Sequence, residues 1–185
     1  MAGFPKNIDK DWTLFLDRDG VINRRIYGGY VQQPDDFVFL PGVLESLKTL
    51  RHLFGRIVVV TNQQGIGKGI MDEARLQAVH RKMLAEVKKA GGNIDAVYYC
   101  PDLADKPDNC RKPSPFLALK AQKQFSEIDF GKSIMVGDAP SDMAFGKSLG
   151  MFTVLVGEER APMDMADFKT ADLVSLTILL KNTIL

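Results

Sequence analysis

Asp17 and Asp19 stand one residue apart where the apolar run Leu14-Phe15-Leu16 ends, and Gly20 follows them. Two carboxylates this close repel each other unless a cation lies between them. A hard ion such as Mg²⁺ takes oxygen ligands and often shares its shell with substrate phosphate. With the charge neutralised, one aspartate can attack as a nucleophile while the other gives and takes protons. Asp and Gly are also common in ordinary polar turns, so this stretch alone speaks only weakly for chemistry.

Three further groups add weight. Thr61 and Asn62 close the run Ile57-Val58-Val59-Val60, and Arg111 and Lys112 sit in a polar, proline-bearing loop. Asp138 and Asp142 follow Ser133-Ile134-Met135-Val136-Gly137. Each has a plain reading: Thr61 and Asn62 as turn residues, Arg111 and Lys112 as a solvated pair, Ser141 or Asp142 as a helix cap. Taken jointly they differ, because strand ends in a parallel sheet share one edge, where ligands bind.

The elements that must carry these groups alternate along the chain. Leu14-Phe15-Leu16 is a buried strand, and 21–40 reads as loop, with Gly28, Gly29, Pro34, Asp35 and Asp36. Pro41-Gly42 opens a helix with Val43, Leu47, Leu50 and Phe54 on one face. The β-branched run Arg56-Ile57-Val58-Val59-Val60-Thr61 is a second strand. Asp72 is a candidate N-cap for a helix carrying Leu76, Val79, Met83 and Val87, stopped by Gly91-Gly92. Ala96-Val97-Tyr98-Tyr99-Cys100 is a third strand, and a helix runs over about 116–125. A fourth strand covers 133–137, a short helix runs from about Ser141 to Gly150, and 152–156 make a fifth strand. Leu173-Val174 reads as a closing edge strand and 175–180 as a last helix. The expectation is an α/β fold: a Rossmann-like, doubly wound parallel sheet with helices on both faces, in one domain over residues 1–185.

Composition excludes several classes. Lys and Arg number 24 against 23 Asp and Glu, so no charge excess recruits nucleic acid or an anionic membrane. The longest apolar runs are too short to span a bilayer, and residues 1–12 contain no apolar segment of the secretory type. Cys100 and Cys110 make no disulfide framework. A cytoplasmic enzyme or binding protein fits these features, and a monomer is expected.

The set Asp17-x-Asp19-Gly20, Thr61-Asn62, Lys112 and Gly137-Asp138 with Asp142 resembles the four motifs of the haloacid dehalogenase superfamily of phosphatases, in order, strand context and spacing. More finely, Gly29-Tyr30-Val31, Thr61-Asn62-Gln63 with Gly65-Ile66, Tyr98-Tyr99-Cys100-Pro101 and Cys110-Arg111-Lys112-Pro113 resemble the D,D-heptose 1,7-bisphosphate phosphatases, of which the histidinol-phosphatases are close relatives. The resemblance implies Asp17 as nucleophile and Asp19 as general acid and base. It implies Thr61 and Lys112 on the phosphoryl group, and Mg²⁺ held by Asp17, the Asp19 carbonyl and Asp138, with Asp142 in support. Asn62, Gln63 and Arg111 join the expected substrate contacts. The implied substrate is a small phosphorylated sugar: the 7-phosphate of D-glycero-D-manno-heptose 1,7-bisphosphate is removed. Histidinol phosphate or other sugar phosphates are the alternative. A non-catalytic phosphosugar-binding module is the reading from another class, and the presence of both Asp17 and Asp19 weighs against it.

Gly65-x-Gly67-Lys68-Gly69 is not a nucleotide phosphate loop, since no glycine stands five before Gly67 and no Ser or Thr follows Lys68. Lys68 becomes a candidate second phosphate contact. The intervals between Asp19, Thr61 and Lys112 cannot hold a separate cap domain, so an open site is expected, with specificity set by loops 27–33, 65–69 and 100–111. The resembled family commonly carries a structural zinc on three cysteines and a histidine. The matching positions here are Cys100, Asp102, Asp108 and Cys110. Structural zinc sites favour thiolate and imidazole, so the expectation is that zinc has been lost and protein contacts hold Arg111 and Lys112.

Overall fold

The computed structural model describes residues 4–5, 7–157 and 165–184. Met1, Ala2, Gly3 and Lys6, part of the amino-terminal stretch read above, lie outside them. Six parallel strands run in the order β3-β2-β1-β4-β5-β6, with β1 at Thr13–Leu16, β2 at Arg56–Asn62, β3 at Ala96–Cys100, β4 at Ser133–Gly137, β5 at Phe152–Val156 and β6 at Phe168–Thr170. The helices are α1 (Val43–Leu53), α2 (Glu73–Lys89), α3 (Phe116–Gln124), α4 (Pro140–Ser148) and α5 (Leu173–Ile184).

The strands read as continuous apolar runs because both faces of the sheet are covered. Leu14, Leu16, Val59 and Val136 point to one layer, where Leu47 and Leu50 of α1, Val79 and Met83 of α2 and Leu176 and Leu180 of α5 pack. Phe15, Val58, Val60 and Met135 alternate to the other face, against Leu117, Ala118 and Ala121 of α3 and Phe145 of α4. At about 25 cal/mol per Å² of apolar surface, each buried Val, Leu, Phe or Met among them favours folding by roughly 1.5–3 kcal/mol before entropy is counted.

One expectation needs correction. Leu173-Val174 is not the edge strand; β6 lies earlier, at Phe168–Thr170, and Leu173 is the first residue of α5. The Asp172 carboxylate accepts from the Ser175 N–H at 2.7 Å, and Leu173, Leu176 and Leu180 are buried at helical spacing. Capping and burial together pull the two residues into the helix.

The topology fixes where a ligand can sit. β1 connects to β2 on one side and is paired with β4 on the other, so the strand order reverses between β1 and β4. In open α/β sheets the crevice at the carboxyl ends of such strands is the binding site. Between Asp19 and Thr61 the chain forms a loop with a short 3-10 turn and then α1; between Thr61 and Lys112 it forms a loop, α2 and β3. Neither interval holds a separate cap. No helix among the described residues is long and apolar enough to cross a membrane.

Candidate active site

The crevice is a cleft of about 630 Å³ with Asp17, Asp19, Thr61, Lys112 and Asp138 in its wall and Lys68 at its rim. Asp17 follows directly on β1, its N–H donating to the Val136 carbonyl at 2.9 Å, which keeps the chain in register with β4 beyond the strand end. The Asp17 side chain is largely buried, and Lys112 Nζ donates to its Oδ1 at 2.7 Å. The same ammonium donates to the Val60 carbonyl at 2.7 Å and lies 2.6 Å from Asp142 Oδ1. Three acceptors match the three donors of a lysine.

Asp142 stands in the first turn of α4 and accepts from the Ala139 N–H at 3.1 Å, so the plain reading as a helix cap also holds. With both oxygens engaged, it suits a supporting part better than direct ligation. Asp138 receives Nη1 of Arg25 at 2.8 Å. Two glycines make room here. A Cβ on Gly20, whose φ is +94°, would overlap the Asp138 carboxylate, and one on Gly137 would overlap Asp142.

Burial, and then the neighbouring carboxylates, push Asp17 up to about 6, with Lys112 opposing. Asp138 is likewise pushed up to about 6 by burial and by the Asp17 charge, with Arg25 opposing. Burial works against a charged Lys112, but Asp142 and Asp17 outweigh it and hold the ammonium above its ordinary value. Carboxylate oxygens of Asp17, Asp138 and Asp142 lie within 4.8 Å of one another. Buried, mutually repelling, all-oxygen donors are a fit for Mg²⁺.

Asp19 is surrounded differently. Nη2 of Arg18 donates to both its oxygens at 3.1 and 2.9 Å, Asn23 Nδ2 to Oδ1 at 2.9 Å, and Gln63 Nε2 to Oδ2 at 2.8 Å. Burial alone would raise this carboxyl; Arg18, Asn23 and Gln63 outweigh it and hold Asp19 below the usual range.

The other residues singled out by sequence divide into two groups. Thr61 accepts from Gln63 Nε2 at 3.0 Å, which leaves its hydroxyl proton for another acceptor. Asn62 and Gln63 are engaged with protein: Asn62 accepts from the Lys112 N–H at 2.9 Å and donates to the Lys112 carbonyl at 3.3 Å, while Gln63 holds Asp19. Both line the cleft, yet their side-chain bonds brace Lys112 and Asp19. Lys68 lies 5.6 Å over the Tyr30 ring, and Arg111 is half-buried, reaching the Asp102 carbonyl at 3.4 Å.

Cys100 and Cys110 are bonded to each other, a pairing that the expectation of no disulfide framework did not foresee. Cys100 ends β3 and the loop turns back within ten residues, bringing the two Cα atoms to 5.5 Å, inside the bridging range. An Asp102 oxygen lies within 4.8 Å of both sulfurs, whereas Asp108 is not part of that cluster. Bonded sulfurs offer no thiolate, and Asp102 already accepts from the Cys110 N–H at 3.1 Å and from Lys106 at 2.6 Å. This donor set does not fit a structural zinc.

Sequence reasoning missed Arg18, Asn23, Arg25 and His80. His80 left a signal: it falls between Val79 and Met83 on the apolar stripe of α2, where an imidazole needs a buried partner. The other three left none, because no spacing rule tells which arginine or asparagine of a turn or loop will meet a carboxylate.

A family model described as "Polynucleotide kinase 3 phosphatase" matches residues 10–177. The chain is 42% identical over 132 residues to the D-glycero-alpha-D-manno-heptose-1,7-bisphosphate 7-phosphatase of Mycobacterium bovis, covering 71% of this chain and 70% of that one. It is 36% identical over 169 residues to the D-glycero-beta-D-manno-heptose-1,7-bisphosphate 7-phosphatase of Photorhabdus laumondii, covering 88% of each. In structure it is similar to the D,D-heptose 1,7-bisphosphate phosphatase of B. bronchiseptica complexed with magnesium and phosphate, with a TM-score of 0.84 and 30% identity over 92% of this chain and 98% of that one.

Proposed function

Because the chain belongs to the haloacid dehalogenase-like phosphatases, in the group of the D-glycero-D-manno-heptose-1,7-bisphosphate 7-phosphatases, we propose that it is a Mg²⁺-dependent phosphomonoesterase removing the 7-phosphate of D-glycero-D-manno-heptose 1,7-bisphosphate. The observation that carries this reading is the buried Asp17 carboxylate at the switch point of the sheet, bonded to Lys112 and clustered with Asp138 and Asp142. Asp17 and Asp138, with the Asp19 carbonyl, are the residues that would hold Mg²⁺, and Asp142 supports them. Bound there, the ion supplies the positive charge that lets a carboxylate meet a phosphate.

In the proposed sequence, Asp17 attacks phosphorus and becomes an aspartyl phosphate as the sugar oxygen departs. Asp19, an anion at rest, takes up a proton from solvent, gives it to that oxygen and then takes one from the water that hydrolyses the intermediate, freeing Asp17 and inorganic phosphate. Thr61 donates its hydroxyl proton to a phosphoryl oxygen. Lys112 keeps Asp17 anionic and offsets charge on the phosphoryl group. Arg111 and Lys68 face the far end of the substrate, where a second phosphate needs cations. Asn62 and Gln63, assigned to substrate from sequence, act by holding Lys112 and Asp19.

The reading extends to one catalytic domain over 1–185, acting as a monomer in the cytoplasm without nucleic-acid or membrane partners and without zinc; the near-neutral charge balance supports the absence of nucleic-acid and anionic-membrane partners, and the bonded cysteine pair the absence of zinc. The deciding experiment compares kcat/KM with Mg²⁺ for both anomers of the heptose bisphosphate, histidinol phosphate, hexose phosphates and a 3′-phosphorylated oligonucleotide. The heptose bisphosphate should lead. A clear lead for histidinol phosphate or the oligonucleotide overturns the substrate, and no phosphate release from any ester leaves a binding module.

A further inference from the structure

Arg18 has no solvent exposure and heads the largest fully buried side chains among the described residues, although it carries a full charge. A cation is tolerated there only when paired and hydrogen-bonded. One end of the guanidinium holds Asp19: Nη2 reaches Oδ1 at 3.1 Å and Oδ2 at 2.9 Å. At the other end, Nη1 lies 3.1 Å from Nε2 of His80. Guanidinium has donors only, so Nε2 is the acceptor and the imidazole is neutral with its proton on Nδ1. His80 sits on the buried stripe of α2 and is itself 3% exposed.

We propose that His80 and Arg18 are positioning residues: through His80, helix α2 anchors the guanidinium that sets where the Asp19 carboxylate points. The inference rests on the reading of Asp19 as acid and base. Asn23 and Gln63 also hold Asp19, but from the loop after β1 and the residue just past β2, without a tie to a helix. The Arg18–His80 link ties the carboxylate to the helix layer across 62 residues of sequence. An acid must lie within hydrogen-bond reach of the oxygen it protonates, and a displacement of about 1 Å can cost 10²-fold. Arg18 Nε is already buried without a partner among the described residues, so without His80 a second N–H of the same guanidinium loses its acceptor, and Arg18 shifts to find one, taking Asp19 with it.

The test uses His80→Leu, which fills the space without an acceptor, and His80→Gln, whose side-chain carbonyl restores one. Folding is checked by thermal unfolding, and Mg²⁺ binding by calorimetry. With heptose bisphosphate, His80→Leu should lose roughly 10- to 100-fold in kcat while KM stays within about 3-fold, and His80→Gln should recover most of the loss. Single turnovers separate positioning from general damage. Release of p-nitrophenolate from p-nitrophenyl phosphate needs no leaving-group proton and should stay within about 3-fold of wild type, whereas release of the heptose phosphate should fall by the larger factor. Equal slowing of both esters, or a folded His80→Gln no better than His80→Leu, overturns the inference. So does full activity in His80→Leu. If the wild type itself releases no phosphate from any ester, the acid–base reading beneath it fails first and this inference falls with it.

Discussion

Asp17 and Asp19 are separated by one residue yet inhabit opposite environments. Asp17 is buried among carboxylates, shares one lysine with Asp142, and is pushed up to about 6. Asp19 is held by Arg18, Asn23 and Gln63 and lies below the usual carboxylate range. The contrast separates two kinds of stabilisation. Around Asp19 the protein supplies its own counter-charge and donors, so the carboxylate needs nothing further. Around Asp17 and Asp138 the protein leaves a deficit of positive charge, which an added cation relieves. The roles follow only when the cation is counted: bound Mg²⁺ would return Asp17 to an anion fit to attack, whereas Asp19 must take up a proton before it can act as an acid.

Substituting one carboxylate at a time breaks the comparison most directly. Asp17→Asn should remove at least about 10³-fold of turnover, because an amide is a poor nucleophile and a poorer ligand; calorimetry should also show weaker Mg²⁺ binding. Asp19→Asn should lose about 10²- to 10⁴-fold while keeping Mg²⁺ affinity within a few-fold, since its side chain lies outside the Asp17, Asp138 and Asp142 cluster. Phosphate release and circular dichroism check both. Wild-type turnover in Asp17→Asn would end the aspartyl-phosphate assignment.

The charge deficit makes a pH statement. Asp17 and Asp138 both titrate near 6, above the ordinary 3.8, so the metal-free fold binds protons that the unfolded chain does not between those values. Mg²⁺ must displace those protons. Its affinity should therefore fall as pH drops through about 6, by up to about tenfold per unit for each carboxylate. Titrations at pH 7.5 and 5.5 measure it. Equal affinity at the two values would mean that the cluster is already neutralised by Lys112 and Arg25.

Much of this was legible in the sequence, for identifiable reasons. Continuous apolar runs and capping residues gave the strands and helices almost to the residue, since burial on both faces leaves a sheet few alternatives. Gly20 and Gly137 stand at their positions because side chains of Asp138 and Asp142 occupy the space where a Cβ would lie. Legibility failed where a residue's meaning depends on what the fold brings to it. Asn62 and Gln63 are expected as substrate contacts from the resemblance and both line the cleft, but nothing in the sequence shows that their side chains also hold Lys112 and Asp19. Leu173-Val174 was too short a run to tell a strand from the first turn of a helix.

His80 sharpens the comparison through stability. Burial first, and the Arg18 charge second, push it down to about 3 from 6.5, opposite in sign to Asp17 and Asp138. The unfolded chain then binds the extra proton between those values, so the His80 contribution is complete above about 6.5 and is lost as pH falls toward 3. At pH 4.5 the loss is on the order of 2–3 kcal/mol. Asp17 and Asp138 oppose it in the same window, so the difference between wild type and His80→Gln is the quantity to measure, by urea midpoints at pH 7 and 4.5. A glutamine cannot take up the proton, so the variant should lose less on acidification. Parallel losses would mean that His80 carries its proton in the folded state.

The smallest effect is expected at the loop that closes the cleft from the β3 side. Cys110 immediately precedes Arg111 and Lys112, so a clamp there could govern both. Other contacts already hold the loop: Asp102 accepts from the Cys110 N–H, Asn109 donates to the Lys106 carbonyl at 2.8 Å, and Asn62 grips the Lys112 backbone from both sides. Bridging a loop this short contributes about 3 kcal/mol in the chain-entropy account, which acts on the unfolded chain and leaves the geometry at Lys112 unchanged. Cys110→Ala should therefore unfold at lower urea while keeping kcat/KM within about 3-fold, and protein purified without chelators should contain no stoichiometric zinc. One zinc per chain, lost together with activity in Cys110→Ala, would mean that Asp102 and two thiolates form a metal clamp. In that case the loop would resemble the Asp17 cluster, completed from outside, more than the self-sufficient cage around Asp19.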